Sequence, residues 1–547
     1  MRLSWSIILV LPSVIAAPQV KLGKTTLIGR DITPFRQEFF GGIPFTEPPV
    51  GRLRLKPPVL KTSLSVPTFD ASSFGLACMQ TGVSAEKMSE DCLTINVLRP
   101  AGTPANASLP VMAWVYGGSF THGDASIYNA SAIVAQSAIR GTPIVYVNFN
   151  YRLGPLGFPQ GREADNRGAL NLALKDQLAA LEWIQCNIGL FGGDKSKVTV
   201  FGESAGAISL AILFLNSPIQ RLARAAIFES GSAATSMNFD AERREGNWQA
   251  FVAAVPQCAS FAGTTNSFAC LQSVTNSSVL LQAAQTAAVV SGEEFPWDPT
   301  IDGPGGLMPD IPSRLFAKGK FARLPFISGT NLDEGTVFSP SNVNSTEQVR
   351  QAIIASFTPS PLGPESLSNA ADRLLELYPD VPALGSPFGT GNETFGLSSQ
   401  FKRIAALQGD LGFHSQRRFW TQTAANAGVK TFGYHFTDPQ TGSPQDGVSH
   451  GSEVFYVYGA LALTGGTPSA IKLSSVMIDY WVSFATSLDP NDGKGNPRPN
   501  WEQYTPKNKA VIQLNGANTT MIPDTYREEQ ISFINSIPLV FHHRRSL

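Results

Sequence analysis

Hydrophobic and polar positions along this chain change in blocks. Four short apolar runs, rich in Val, Ile and aromatics and bounded by Gly, Asn or Ser, have the pattern of strands buried on both faces. They are PVMAWVYG (110–117), PIVYVNFNYR (143–152), KVTVFGES (197–204) and RAAIFESG (224–231). Between the second and third, residues 171–191 repeat Leu174, Leu178, Leu181 and Ile184 or Cys186 at helical spacing, and a second helical stretch, 205–216, follows the third run at once. Two later runs, 324–331 and 429–438, extend the series, while 232–320 and 339–425 read as helices and loops inserted over the top edge of the sheet. Strand alternating with helix predicts an α/β fold, a largely parallel sheet covered on both faces.

Composition narrows this reading. With 547 residues, 43% hydrophobic and 15% charged, the chain can bury a large core and is not a disordered polymer. No linker, repeat or low-complexity tract divides it, so one domain over residues 17–547 is expected. Lys+Arg (41) nearly balances Asp+Glu (42), which gives no reason to expect a nucleic-acid or anionic-membrane partner.

The first residues place Arg2 before an apolar stretch from Trp5 to Ile15 and then small residues, the pattern of a secretory signal peptide cut after Ala16. That stretch is too short to span a bilayer, and stable membrane insertion is not expected. The cysteines fit an oxidising compartment: Cys78 with Cys92 and Cys258 with Cys270 form two economical local bridges, leaving Cys186 as a buried thiol in a helical stretch. Asn106, Asn129, Asn276, Asn344, Asn392 and Asn518 head Asn-x-Ser/Thr sequons and are candidates for glycosylation.

The third strand run ends in Gly-Glu-Ser-Ala-Gly, with Ser204 between Gly202 and Gly206 and a helix following at once. A Gly-x-Ser-x-Gly turn between strand and helix lifts the hydroxyl above the carboxyl edge of a parallel sheet, where ligands bind. Such a serine needs a base and a group to orient it. Of six histidines, His122 precedes the serine, His414 lies in a helical run, His435 in a strand run, and His542 and His543 in a basic tail. His450 alone occupies a polar, glycine-containing loop after a late strand. An acid should come from a strand end between the two; the segment 326–336 offers Asp333 and Glu334 side by side, and position does not choose between them. The histidines lack zinc spacing and no glycine loop suits a phosphate, so no metal or cofactor is implied.

Four segments, EDCLTINV (90–97), FGGDKSKVTVFGESAG (191–206), GTNLDEGT (329–336) and SHGSE (449–453), together resemble the type-B carboxylesterase/lipase family, which includes cholinesterases and the large secreted fungal lipases and steryl esterases. The resemblance runs from Val20 to the C-terminus and implies an α/β-hydrolase fold. It places the acid on Glu334 and the base on His450. The segment VYGGSF (115–120) resembles the family's oxyanion loop, which would put backbone donors at Gly118 and Ser119, with Ala205 as the third. Tyr116 stands where many members have His, and Ser119 where many have a third Gly. Glu203 and Ser230 resemble residues standing behind the triad.

These residues imply transfer of an acyl group to water by an exported carboxylic-ester hydrolase of broad specificity, with some lipase or steryl-esterase capacity. The loop between Cys78 and Cys92 holds only 13 residues, with Met79, Val83 and Met88 as its sizeable apolar groups, too little to seal the site. Weak dependence on an oil–water interface follows. Phe120, Ile208, Met308, Val337, Phe338, Leu411 and Phe413 are candidates for an apolar acyl pocket. The same machinery would serve aromatic, feruloyl-type esters. A non-catalytic adhesion module of this fold is the competing class, against which the chain keeps Ser204, Glu334 and His450.

Overall fold

The computed structural model describes residues 17–215, 218–236, 239–293 and 295–541. The signal peptide read over 1–16 and the tail carrying His542 and His543 lie outside them. Among the described residues the centre is an 11-stranded mixed sheet. Leu109–Val115 lies between Val145–Phe149 and Gly193–Glu203; beyond the latter follow Ala225–Glu229, Phe326–Asn331, Thr431–Phe436 and Ala510–Leu514, all parallel. Thr520–Pro523 closes one edge antiparallel, and Thr94–Pro100, Gln37–Pro44 and Arg30–Ile32 close the other.

All six expected strands are present, and they are the ones that sequence marks by predominantly apolar runs. Val198, Val200 and Phe201 have no exposed surface, and burial on this scale stabilises by about 1.5–3 kcal/mol for each large side chain. Helices cover both faces. Leu172–Asn187 buries Leu174, Leu181 and Ile184, and Ala205–Phe214 is buried along its whole length. The regions 232–320 and 339–425 build two satellite cores, one around Trp248, Phe251, Leu280 and Trp297 and one around Val349, Leu374, Leu407 and Phe541.

Cys78 is bonded to Cys92 and Cys258 to Cys270. Cys186 corrects its expectation: the thiol is exposed. It follows Ile184 by two residues, so helical rotation carries it away from the core-facing side and toward exposed Glu182, four residues back. The six sequon asparagines are all at the surface, and Asn276 also caps the helix Ser277–Ser291 by accepting from the Ser278 amide.

Candidate active site

The carboxyl ends of the central strands converge on Ser204. It follows Glu203 directly and takes φ 52° and ψ −126°, a left-handed conformation that only a constrained turn imposes on serine. Its amide donates to the Glu229 carbonyl at 3.0 Å, which ties the turn to the neighbouring strand. Gly206 allows the helix to start there, because a Cβ at that position would stand 2.0 Å from the Val115 carbonyl oxygen. Ala205 is the first residue of the helix, so its amide has no intrahelical acceptor.

Across from the turn, the strand Leu109–Val115 runs into Gly117–Phe120. Gly118 has φ +113°, and a Cβ there would meet the His122 carbonyl oxygen at 2.3 Å; Ser119 and Phe120 also have positive φ. Tyr116, one of the departures from the family pattern, is fully buried behind this loop. Its ring stacks on Tyr151 at 4.4 Å, and the Tyr151 hydroxyl donates to the Tyr116 carbonyl at 2.7 Å.

His450 Nδ1 lies 2.6 Å from Glu334 Oε2, and the other Glu334 oxygen accepts the Asn331 amide at 2.7 Å. The neighbouring acid has a different task. Asp333 accepts from the Val448 amide, the Ser386 hydroxyl and the Phe388 amide, and its own amide donates to the Val448 carbonyl. It therefore anchors the loop that presents His450, while Glu334 meets the ring. The ring packs against Phe338 and Phe413 at 5.0 and 4.7 Å between centroids.

His450 Nε2 lies 3.2 Å from Glu203 Oε1. Burial disfavours the imidazolium, but Glu203 and Glu334 outweigh it and raise His450 above the ordinary histidine range. Burial raises the Glu203 carboxyl against the pull of His450, and Glu453 and Glu334 add to the rise. Ser230 donates to Glu453 at 3.0 Å, and Glu453 also accepts from Asn331 Nδ2 and the Tyr434 hydroxyl. Glu453, Asn331 and Glu229 were not singled out by sequence reasoning, although Glu453 ends the very motif that contains His450.

A cavity of about 50 Å³ opens at Ser204. Ser119, Phe120, Ala205, Ile208, Phe338 and Phe413 line it, as do Thr235, Ser236, Phe295 and Asp298, for which the sequence carries no local signal. Three expected lining residues are elsewhere. Met308 is fully buried in the main core, Val337 is half exposed, and Leu411 belongs to the satellite core with Leu374 and Phe541. Leu411 and Phe413 share one helical turn, and residues two apart on a helix point to nearly opposite sides.

A second cavity of about 200 Å³ adjoins the first, since Phe295 and Asp298 line one and Pro296 and Trp297 line the other. Its walls include Met79–Thr81 from the disulfide loop and Leu280, Leu281 and Ala284 from the helix Ser277–Ser291. The disulfide loop is tied down at both ends. Gln80 exchanges two hydrogen bonds with the Gly123 backbone at 2.8 and 2.9 Å, and Glu90 forms a buried ion pair with Arg54 at 2.6 Å.

The sheet order, the strained serine turn at its carboxyl edge and the carboxyl-held imidazole against Glu203, the residue before that serine, have the architecture of an α/β hydrolase. A family model described as Carboxylesterase family matches residues 16–534. Lipase 1 of Geotrichum candidum is 34% identical, over 92% of this chain and 92% of that protein, and Secreted lipase 1 of Botryotinia fuckeliana is 33% identical over 95% and 93%. The crystal structure of Aspergillus niger EstA superposes with a TM-score of 0.82 at 25% identity, covering 96% of this chain and 99% of that one. The chain belongs to the carboxylesterase family and is a carboxylic ester hydrolase.

Proposed function

We propose that Ser204 attacks the ester carbonyl, that His450 takes its proton and returns it to the leaving alcohol, and that Glu334 orients the imidazole and stabilises its cation. Water then releases the acid from the acyl-enzyme by the same route. The amides of Gly118, Ser119 and Ala205 receive the negative charge of the tetrahedral intermediate, where a single donor contributes about 3–4 kcal/mol. The observation that carries this reading is the 2.6 Å Glu334–His450 contact, on a ring that packs against two phenylalanines of the cavity holding Ser204. Stoichiometric labelling of Ser204 by an organophosphate with loss of esterase activity tests it; an active enzyme left unlabelled there would refute it.

The substrate range we infer is broad and leans toward soluble esters. About 50 Å³ at the serine has room for a few water-sized groups, and longer apolar parts of a fatty-acyl or steryl ester have the adjoining cavity available. The Gln80–Gly123 pair and the Arg54–Glu90 pair hold the disulfide loop on either side of its tip, which supports reading it as a fixed wall and not a swinging lid. A sharp rise in rate on emulsified long-chain triglyceride above its solubility limit, absent with a short soluble ester, would overturn this. Two disulfides and a relative named as a secreted lipase support export, with removal of residues 1–16 and glycans on the exposed sequons.

A further inference from the structure

One level beneath the serine turn, a row of residues crosses the sheet: Glu203 pairs with Glu229, Glu229 with Gly329, and Gly329 with Tyr434. Gly329 leaves room for the Tyr434 ring, which lies 2.1 Å from where a Cβ would stand. The ring so admitted directs its hydroxyl to Glu453 at 3.2 Å. Glu203 and Glu453 in turn interact with His450 and Glu334, so the base is surrounded by carboxyls.

Glu229 is the member of this group that the catalytic reading does not use. It has no exposed surface. Its Oε1 accepts from Trp481 Nε1 at 2.7 Å, and its Oε2 is buried with no hydrogen-bond partner among the described residues. The titratable groups that face it are Glu203 from the adjacent strand, Glu453 from the histidine loop, and Tyr128, Tyr146, Tyr434 and Tyr458 around it. None of these is a cation. A carboxylate here would be an uncompensated buried charge beside two other acids, which is the arrangement that keeps a carboxyl protonated. Burial, with Glu453 and then Glu203 adding to it against the Trp481 bond, raises its carboxyl well above the ordinary range.

We propose that Glu229 is a positioning residue that works as a neutral carboxylic acid, and that loss of its proton sets the alkaline limit of catalysis. While neutral, it fills the layer beneath Ser204, whose amide its own backbone carbonyl holds, without adding charge near the base. At high pH its proton leaves to hydroxide. The new anion beside Glu203 and Glu453 then tightens the hold of His450 on its proton and opposes the negatively charged intermediate. The inference rests on Ser204 and His450 acting as proposed above.

The test is the pH profile of kcat/KM on a soluble short-chain ester for wild type and Glu229→Gln, in which the amide imitates the neutral acid. The expected result is an unmoved acid limb and an alkaline limb shifted up by at least about one pH unit, a tenfold gain at fixed pH on that limb. An unmoved alkaline limb overturns the proposal. So does an acid limb lowered by about a unit, since removing a charge that was already present would lower the pKa of His450. Should Glu229→Gln not fold, infrared titration of the wild-type protein decides. A protonated-carboxyl C=O band that is retained in Glu203→Gln and in Glu453→Gln, and that disappears in step with the alkaline loss of wild-type activity, supports the proposal, and absence of such a band at neutral pH overturns it. Failure of wild type to be labelled at Ser204 would overturn the catalytic reading itself, whereas intact labelling with an unchanged profile overturns only the role of Glu229.

Discussion

His435 and His414 lie where protonation is strongly opposed, and the substitution His435→Phe measures how much this governs acid stability. Both rings are buried, and His435 stacks on Tyr526 with 4.4 Å between centroids. Burial disfavours its cation first, and Arg527, Arg417 and Arg418 add repulsion that Asp524 only partly offsets, so its pKa falls from 6.5 to about 3. The folded pKa is depressed, so between these values the unfolded chain binds the proton that the folded protein refuses. The stability is fully present above pH 6.5 and is lost as pH falls toward 3. At about 1.4 kcal/mol per unit, the loss is about 2 kcal/mol at pH 5 and about 4 kcal/mol at pH 3, where the folded ring is half protonated. A phenyl ring keeps the stack, and Nδ1 has no hydrogen-bond partner among the described residues to forfeit. Guanidinium unfolding at pH 7 and pH 5, with disulfides intact, should show wild type losing about 2 kcal/mol more than His435→Phe across that interval. Equal losses would refute the reasoning, because they would mean that folded His435 already accepts its proton.

The two acids at the end of the strand Phe326–Asn331 should separate in mutagenesis. Glu334→Gln is expected to lower kcat by about 10³–10⁴ with KM little changed, by analogy with loss of the orienting acid in other serine triads. Asp333→Asn is expected to lower the unfolding midpoint along with activity, because it disturbs the loop carrying His450; a calorimetric scan with a kcat measurement distinguishes the two. Gly206→Ala should abolish organophosphate labelling of Ser204, since its Cβ would stand 2.0 Å from the Val115 carbonyl oxygen. Retained labelling would show that the turn can relax.

How far the sequence could be read depended on the range over which each feature is encoded. Six of the parallel strands announce themselves because strands buried on both faces are predominantly apolar runs, whereas the antiparallel strands Gln37–Pro44 and Thr94–Pro100 mix polar and apolar positions and gave no such signal. Ser204 is legible because its turn imposes glycine two residues away on either side. Asp333 and Glu334 could be told apart only by resemblance, because the difference between them lies in partners more than fifty residues distant in sequence: Ser386 and Val448 for one, His450 for the other. Glu229 was invisible for the same reason, since what makes it unusual is its company across the sheet. Among the expected cavity residues, Phe338 is in place while its neighbour Val337 faces solvent, a matter of side-chain direction that composition does not carry.

The anchoring of the disulfide loop also bears on how such enzymes could be diversified. Its tip, Gly82–Lys87, is largely exposed, while Gln80 and Glu90 on either side are fixed to the body of the protein. Chain inserted at the tip would leave both attachment points untouched, and doubling the length of a flexible loop costs only about 0.6 kcal/mol. The position is therefore a natural graft point, where a long amphipathic helix could be installed to give this ester hydrolase a cover that responds to oil.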